Sequence, residues 1–577
     1  MPRNRSRLTW RVIALAAFFL FATGGLVGRL AYIQLVNHER YIEEANAEHF
    51  EKREVRSTRG AILDRNGFPL ATSVEVFDLY IDRRAWEKDP SRARKTAEGL
   101  APLLGQDAAA ILSRLEDSSE GPIALLESSL DYEIGRVIED MSLPGVTVAD
   151  ATERYYPEGD LASALLGFLG RDHSGLAGLE ADLDQVLAGS PSYIYFERDG
   201  GGQPIPFVQP IEQPGEDGAD VRLTIDRYIQ RLIEAELDFQ IEAHGASGGT
   251  ILVMDPMTGA ILGMAGRPSF NLSQLNLDVP DFEIYRNRAV TDLYEPGSVV
   301  KTLTMATAID MGLVNPNTTY FDSGYVEKGG YEFKNWDFSS HGTTTMTQLL
   351  QFSLNTGAIW LSDLIGPNDL YRYFDSFGLG ESTHSGLGGE STGLVRTNAA
   401  DDWYPSDLAT NSYGQGIAAT PLQVITAISS LINGGNLMRP YIVSEVANGK
   451  DRRIYEPVVV RRTISPESSA TMKEMMHEVV DGVQWHGARL KGYSAGGKTG
   501  TTLVSIPTGY ALDSTIASFV GFAPVENPEI VMLIKIDEPK DDPLGGIVAA
   551  PVFAKLAPKI LAYLNVKPTQ PLAQAGQ

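Results

Sequence analysis

The chain has 577 residues, 43% of them hydrophobic and 21% charged, which suits two or three folded units and excludes a disordered or low-complexity protein. A net charge of -26 leaves nothing to neutralise a phosphate backbone, so nucleic acid is not expected as a partner. There are no cysteines, which excludes disulfides, thiolate nucleophiles and cysteine-metal sites.

The first element departs from this bulk character. Arg3, Arg5, Arg7 and Arg11 precede an apolar run from Val12 through Phe18, Phe19, Phe21 and Val27, and Glu39, Glu43 and Glu44 follow it. With Arg29 snorkelling to the interface, the run extends through residues 30–36 and is long enough to cross a bilayer. Basic residues ahead of the span place the N-terminus in the cytoplasm and the remainder outside. A cleaved signal peptide is the competing reading, but no small-x-small cleavage site precedes the resumed apolar stretch. An uncleaved single anchor is therefore expected.

Further along, Asn66-Gly67 between apolar stretches predicts a hairpin within residues 51–73. Helical patterns follow over 89–104, 108–115 and within 167–189. This section holds few reactive groups and reads as a spacer or interaction domain of mixed α and β structure. Pro, Gly, Glu and Asp cluster over 210–219, which predicts a break between units. Ile225, Ile229, Leu232, Ile233, Leu237 and Ile241 then recur at helical spacing, predicting an amphipathic helix from about Asp226. Apolar stretches 249–254 and 260–265 flank a turn at 255–259, and 516–523 and 530–536 flank another at 524–529. A closing helix is expected over 551–564 and a loose tail over 567–577. Strands at both ends of a helical middle predict an α/β sandwich whose sheet joins distant parts of the chain.

Three short signatures carry the chemistry: Ser298-Val299-Val300-Lys301, Ser353-Leu354-Asn355 and Lys498-Thr499-Gly500-Thr501. Pro296-Gly297 breaks the chain just before Ser298, so this serine should sit at a helix N-terminus, where partial positive charge favours a developing anion. Lys301 lies one turn on, on the same face. A serine hydroxyl is a weak nucleophile unless a neighbour takes its proton, and Lys301 can do that only when neutral. Burial and a second nearby cation, Lys498, would both favour the neutral form. Ser353 and Asn355 suit a proton relay and a hydrogen bond to a peptide backbone. Ser269-Phe270-Asn271 has the same spacing as Ser353-Leu354-Asn355 but precedes Ser298 and fits the order poorly. Lys498, Thr499 and Thr501 suit a substrate carboxylate, while Gly500 would let a ligand backbone lie close to the strand. The backbone N–H groups of Ser298 and Thr501 would form an oxyanion hole. No Gly-x-x-x-x-Gly-Lys spacing supports a phosphate loop. His341 and His486 lack metal-ligand spacing, and Asp337 and Glu390 read as loop carboxylates; no metal or cofactor is expected.

This ordered trio is a described signature of penicillin-binding proteins and class A β-lactamases. The chain resembles a class B penicillin-binding protein along nearly its whole length. The resemblance includes the single anchor, residues 59–67, Gly178-Leu179-Glu180, Asn287-Arg288-Ala289-Val290 and Glu295-Pro296-Gly297-Ser298. It continues through Gly414-Gln415-Gly416, Thr420-Pro421-Leu422-Gln423, the Lys498 motif, Gly545-Gly546 and Ala550-Pro551-Val552-Phe553. Val299-Val300 and Thr502 depart from the usual pattern without removing a reacting group.

The resemblance implies a multidomain α+β chain: a cytoplasmic tail and anchor (1–36), a pedestal (37–215), a transpeptidase domain (216–566) and a flexible tail (567–577). The transpeptidase fold implied is a five-stranded antiparallel sheet between helical layers. Ser298 would attack the penultimate D-Ala carbonyl of a stem peptide, and an amine of a neighbouring stem peptide would resolve the acyl-enzyme into a cross-link. β-Lactams would acylate the same serine. The polymerase would be a separate, membrane-embedded glycosyltransferase of the shape and division family, alongside other division proteins. A β-lactamase is disfavoured, because Glu390 and Glu381 are followed four residues later by Leu394 and Ser385 rather than by Asn. A β-lactam sensor would want several spans or a cytoplasmic output domain, and a recruitment scaffold has no need of an intact trio. Gly414-Gln415-Gly416, the modest pedestal and the 537–553 ending resemble the division type more than the elongation or sporulation types.

Overall fold

The computed structural model describes residues 5–38, 40–41, 50–117, 121–197, 211–275, 282–483, 487–506 and 509–571. Its contacts divide the chain into two units, Met1–Thr58 with Gly189–Gly218, and Arg59–Ala188 with Ala219–Gln577. In the first unit the apolar N-terminal run folds as one helix, Arg5–Ala31, continued by a π-helical turn Tyr32–Val36. Its apolar stretch, Thr9–Val36, has 28 residues. At ~1.5 Å per residue this is about 42 Å, more than the ~30 Å hydrocarbon core of a bilayer. Three antiparallel strands, Phe50–Val55, Ser192–Glu197 and Ile211–Gln213, complete the unit.

The second unit opens on the hairpin expected at Asn66-Gly67. Ile62–Leu63 and Pro69–Asp82 pair antiparallel, and Gly67 takes the left-handed conformation (φ +90°) that closes the turn. These strands belong to a seven-stranded sheet that also holds Ile123–Leu130, Val146–Tyr155, Asp220–Leu223, Val443–Asn448 and Asp451–Ile454. The early and late parts of the chain therefore share a sheet across the 215/216 position. Helices Ser91–Leu104, Ala108–Glu116 and Tyr132–Asp140 bury Leu100, Ile111, Leu115 and Ile138 against Leu79, Ile81 and Leu126. Beside them Glu180, wholly buried, accepts from Arg59 Nε and Arg154 Nε at 2.7 Å each, and Asp184 takes a further Arg59 nitrogen at 2.7 Å. Charges this deep are tolerated only when paired; the pairing explains why the segments around Arg59 and Glu180 stand out in the sequence.

The core of the unit is a five-stranded antiparallel sheet. We label its strands β1 (Gly248–Met254), β2 (Ile261–Arg267), β3 (Gly496–Ile506), β4 (Gly509–Ala523) and β5 (Ile530–Asp537). The spatial order is β2-β1-β5-β4-β3, so β3 is an edge strand. Ile251, Val253, Phe519, Met532 and Ile534 face one layer, which holds helices α1 (Arg227–His244) and α6 (Ala550–Tyr563). Leu252, Met254, Val520, Phe522, Val531 and Leu533 face the other, which holds α2 (Val300–Asp310), α3 (Met346–Phe352), α4 (Asn355–Ile365) and α5 (Pro466–Gly482). Burial on both faces is why these strands read as unbroken apolar runs rather than alternating ones. α1 starts where expected: Asp226 caps it by accepting from the N–H groups of Tyr228 (3.0 Å) and Ile229 (3.3 Å).

The tail differs from expectation over its first residues. Thr569 donates its N–H to the Gly492 carbonyl at 2.9 Å and accepts from the Ser494 N–H at 3.0 Å, so residues 567–571 are fastened to the domain. Residues 572–577 lie outside the described residues.

Candidate active site

Ser298 sits in a 3-10 turn, Gly297–Val299, that feeds directly into α2, one step ahead of the helix start anticipated from the sequence. Gly297 has φ +56°, and its N–H donates to the Gly414 carbonyl at 3.1 Å. A Cβ on Gly414 would lie 2.1 Å from the Gly297 oxygen, so the 414–416 segment can back the Ser298 turn only as glycine at that point. Ser298 is half-buried, whereas Lys301, one turn on, is 1% exposed.

Lys301 Nζ donates to the Ser353 carbonyl at 2.6 Å, to Asn355 Oδ1 at 2.7 Å and to Ser353 Oγ at 3.2 Å. Lys498 Nζ donates to the same Ser353 Oγ at 3.0 Å. The Ser298 hydroxyl is not among these partners of Lys301. Ser353 is placed by a break in the helix: α3 ends on it in the left-handed conformation (φ +57°), and α4 begins at Asn355. The sharp turn brings both side chains of the Ser-x-Asn signature to one corner. Asn355 also donates from Nδ2 to the Lys334 carbonyl at 2.8 Å, which fixes its amide with the oxygen towards Lys301.

Burial holds Lys301 well below the usual lysine range, and the charge of Lys498 pushes it the same way. Burial alone lowers Lys498 to about 7. A neutral Lys301 has two N–H groups and one lone pair against three oxygen neighbours. The Ser353 hydroxyl can then donate to the lone pair while accepting from Lys498, giving a continuous proton path between the two lysines.

The third signature lies on the edge strand. Thr499 Oγ1 is 3.3 Å from Lys498 Nζ, and Thr501 Oγ1 accepts from the Gly545 N–H at 3.1 Å. Gly500 is also constrained from within the protein. A Cβ there would meet Ser518 Oγ at 2.4 Å, the Pro296 oxygen at 2.8 Å and Val299 Cγ2 at 3.2 Å. Its missing side chain admits the turn that carries Ser298.

The remaining candidates separate from this corner. Asn271 is committed to a local cap, accepting from the Ser273 N–H at 2.8 Å, and Phe270 packs edge-on against Phe168 and Tyr285. His341 pairs with Asp337 at 2.8 Å and stacks on Phe352; Glu390 accepts from Ser382 and from the Thr383 N–H. His486 lies outside the described residues. Two residues near the site carried no assignment from the sequence. The Tyr413 ring centroid lies 5.9 Å from Lys301 Nζ, and Glu295 reaches across to β3 and β4. Tyr413 directly precedes Gly414-Gln415-Gly416, and Glu295 opens Glu295-Pro296-Gly297-Ser298; both stretches carried the resemblance, but neither residue had a role in it.

A model of the penicillin binding protein transpeptidase domain matches residues 249–557, and one of the penicillin-binding protein dimerisation domain matches residues 54–223. Stage V sporulation protein D of Bacillus subtilis (strain 168) is 33% identical over 547 residues, covering 94% of this chain and 83% of that protein. Peptidoglycan D,D-transpeptidase FtsI of Escherichia coli (strain K12) is 30% identical over 568 residues, covering 97% and 93%. The crystal structure of a peptidoglycan synthetase from Bifidobacterium adolescentis ATCC 15703 superposes with a TM-score of 0.73 at 26% identity, over 91% of this chain and 99% of that one.

Proposed function

The chain belongs to the penicillin-binding transpeptidases, and on that footing we propose how its residues divide the work of a peptidoglycan D,D-transpeptidase. The reading rests above all on one observation: two buried lysines converge on Ser353, and one of them, Lys301, lies one turn from the half-buried Ser298. Neutral Lys301 takes the proton of Ser298 as Oγ attacks the penultimate D-Ala carbonyl of a stem peptide. The N–H groups of Ser298 and Thr501 hold the oxyanion. Thr499 and Thr501, with Lys498 behind them, take the terminal carboxylate, and Gly500 keeps that strand against the nucleophile turn. The proton passes through Lys301 and Ser353 to the departing D-Ala amine, and Asn355 orients the peptide. The C–N bond breaks, leaving an ester on Ser298; an acceptor amine then attacks it, and its proton returns along the same path to Oγ. A β-lactam follows the first half, but its leaving amine stays tethered and blocks the second.

Mass spectrometry of the protein incubated with a D-Ala-D-Ala donor and an amine acceptor tests this reading. An acyl group on the Ser298 peptide and a cross-linked product are expected; acylation elsewhere, or hydrolysis alone, would refute it.

The domain bounds that accompany the reading are 1–36, 37–215, 216–566 and 567–577. The anchor crosses the cytoplasmic membrane once, with the catalytic domain outside, where a membrane-embedded glycosyltransferase supplies nascent strands. The chain has no native thiol, so Lys450→Cys at an exposed site should react with a membrane-impermeant maleimide in intact cells; protection would reverse the orientation. We assign it to septal synthesis. The sporulation relative at 33% identity favours a second reading, and depletion decides between them. Filamentation during vegetative growth supports the septal role, and a defect confined to spores supports the other.

A further inference from the structure

Three residues ahead of Ser298, the Glu295 side chain gathers segments that are far apart in the chain. Its Oε1 accepts from the Gly416 N–H at 3.0 Å and from the Tyr510 hydroxyl at 2.9 Å, and its Oε2 accepts from the Thr502 hydroxyl at 3.4 Å. Each donor comes from a structure that borders the nucleophile. Gly416 ends the segment that backs Gly297, Thr502 follows the Lys498–Thr501 signature on β3, and Tyr510 lies in the outer part of the β3–β4 hairpin. Burial raises the Glu295 pKa, and the three donors oppose that rise without cancelling it.

The outer hairpin is not a simple continuation of the sheet. The ladder passes from the Leu503–Thr515 pair directly to Val504–Ala511, so residues 512–514 of β4 have no partner on β3. Such a slip gives the outer hairpin a register of its own and leaves a joint between it and the strand that lines the site. The bond from Tyr510 to Glu295 spans this joint, and the one from Thr502 lies just inside it. The packing on the other side is already tight, since Gly500 abuts the Pro296 oxygen and Val299.

We propose that Glu295 is a positioning residue: its carboxylate ties the outer hairpin and β3 to the nucleophile turn, and so sets the spacing between the Ser298 and Thr501 N–H groups. This inference rests on the reading of those two groups as the oxyanion donors and deepens it. Misplacing such groups by about 1 Å costs on the order of 100-fold in rate. The loss belongs to the acylation step and not to the reversible binding before it.

Rapid-quench labelling of the full-length protein with a fluorescent penicillin separates the two steps. Glu295→Ala should slow acylation by about 10- to 100-fold while the dissociation constant of the non-covalent complex stays within about threefold. Tyr510→Phe, on the hairpin, should slow acylation by less, and the double variant should be no slower than Glu295→Ala alone, because both act through one contact. Glu295→Gln, which keeps one acceptor oxygen, should recover part of the rate. Additive losses, weakened binding with an unchanged acylation rate, or rates unchanged in both single variants would overturn the proposal. If Glu295→Ala fails to fold, Tyr510→Phe decides alone: a wild-type acylation rate overturns it. A Ser298-dependent adduct on the wild type with unaffected variants would remove only the role of Glu295, whereas no such adduct would remove the parent reading as well.

Discussion

Lys301 and Lys498 occupy one buried corner, and the charge of Lys498 adds to the cost of charging Lys301. The need for a neutral Lys301 was readable from Ser-x-x-Lys, because a serine needs a base and the spacing supplies one. What the spacing did not reveal is that both lysines meet on Ser353, since that contact closes a loop of 145 residues. The arrangement fixes a pH dependence. Acylation falls on the acid side as Lys301 gains a proton and loses its lone pair. Lys498→Met removes the second of the two causes that depress Lys301, so its pKa rises and the acid limb of the pH–rate profile moves to higher pH. Burial, the first cause, remains, so the limb moves by only part of the original depression. A limb that stays in place or moves to lower pH would show that Lys498 does not act on Lys301 through its charge.

At the scale of elements, the strands and helices around the central sheet were legible because their apolar runs are long and bounded by clear turns. β1, β2, β4, β5, α1 and α6 lie close to where the pattern put them. The order of the strands was not legible. β1 pairs with β5, Ile251 opposite Ile534, and nothing local to either strand specifies a partner so distant. The internal crowding at Gly500 was not legible for the same reason: the atoms a side chain there would meet come from β4 and from the Ser298 turn. Gly500→Ala must push β3 away from Pro296 or Ser518. It should slow penicillin acylation by about 10- to 100-fold, with the far-ultraviolet circular dichroism of the wild type retained. An acylation rate equal to that of the wild type would mean the edge strand and the turn are not held in contact.

Within the larger unit, residues 59–188 are joined to the part that follows residue 218 by a shared sheet and carry a buried ion cluster of their own. Arg59 and Glu180 stood out in the sequence only as parts of a resemblance; their pairing is a tertiary fact that no periodicity encodes. Glu180→Gln leaves the buried Arg154 guanidinium without its counter-charge and Arg59 with Asp184 alone, which should destabilise the protein by about 3–5 kcal/mol, measured as a drop in the denaturant midpoint. A midpoint equal to that of the wild type would mean the cluster opens to solvent when the charge is lost.

The central claim is that Ser298 is the nucleophile of a transpeptidase, and covalent labelling by a fluorescent penicillin followed over hours tests it most directly. A long-lived adduct on the wild-type protein and none on Ser298→Ala is the predicted result. Rapid loss of label with release of hydrolysed drug would make the protein a β-lactamase, and a persistent adduct on folded Ser298→Ala would place the nucleophile elsewhere.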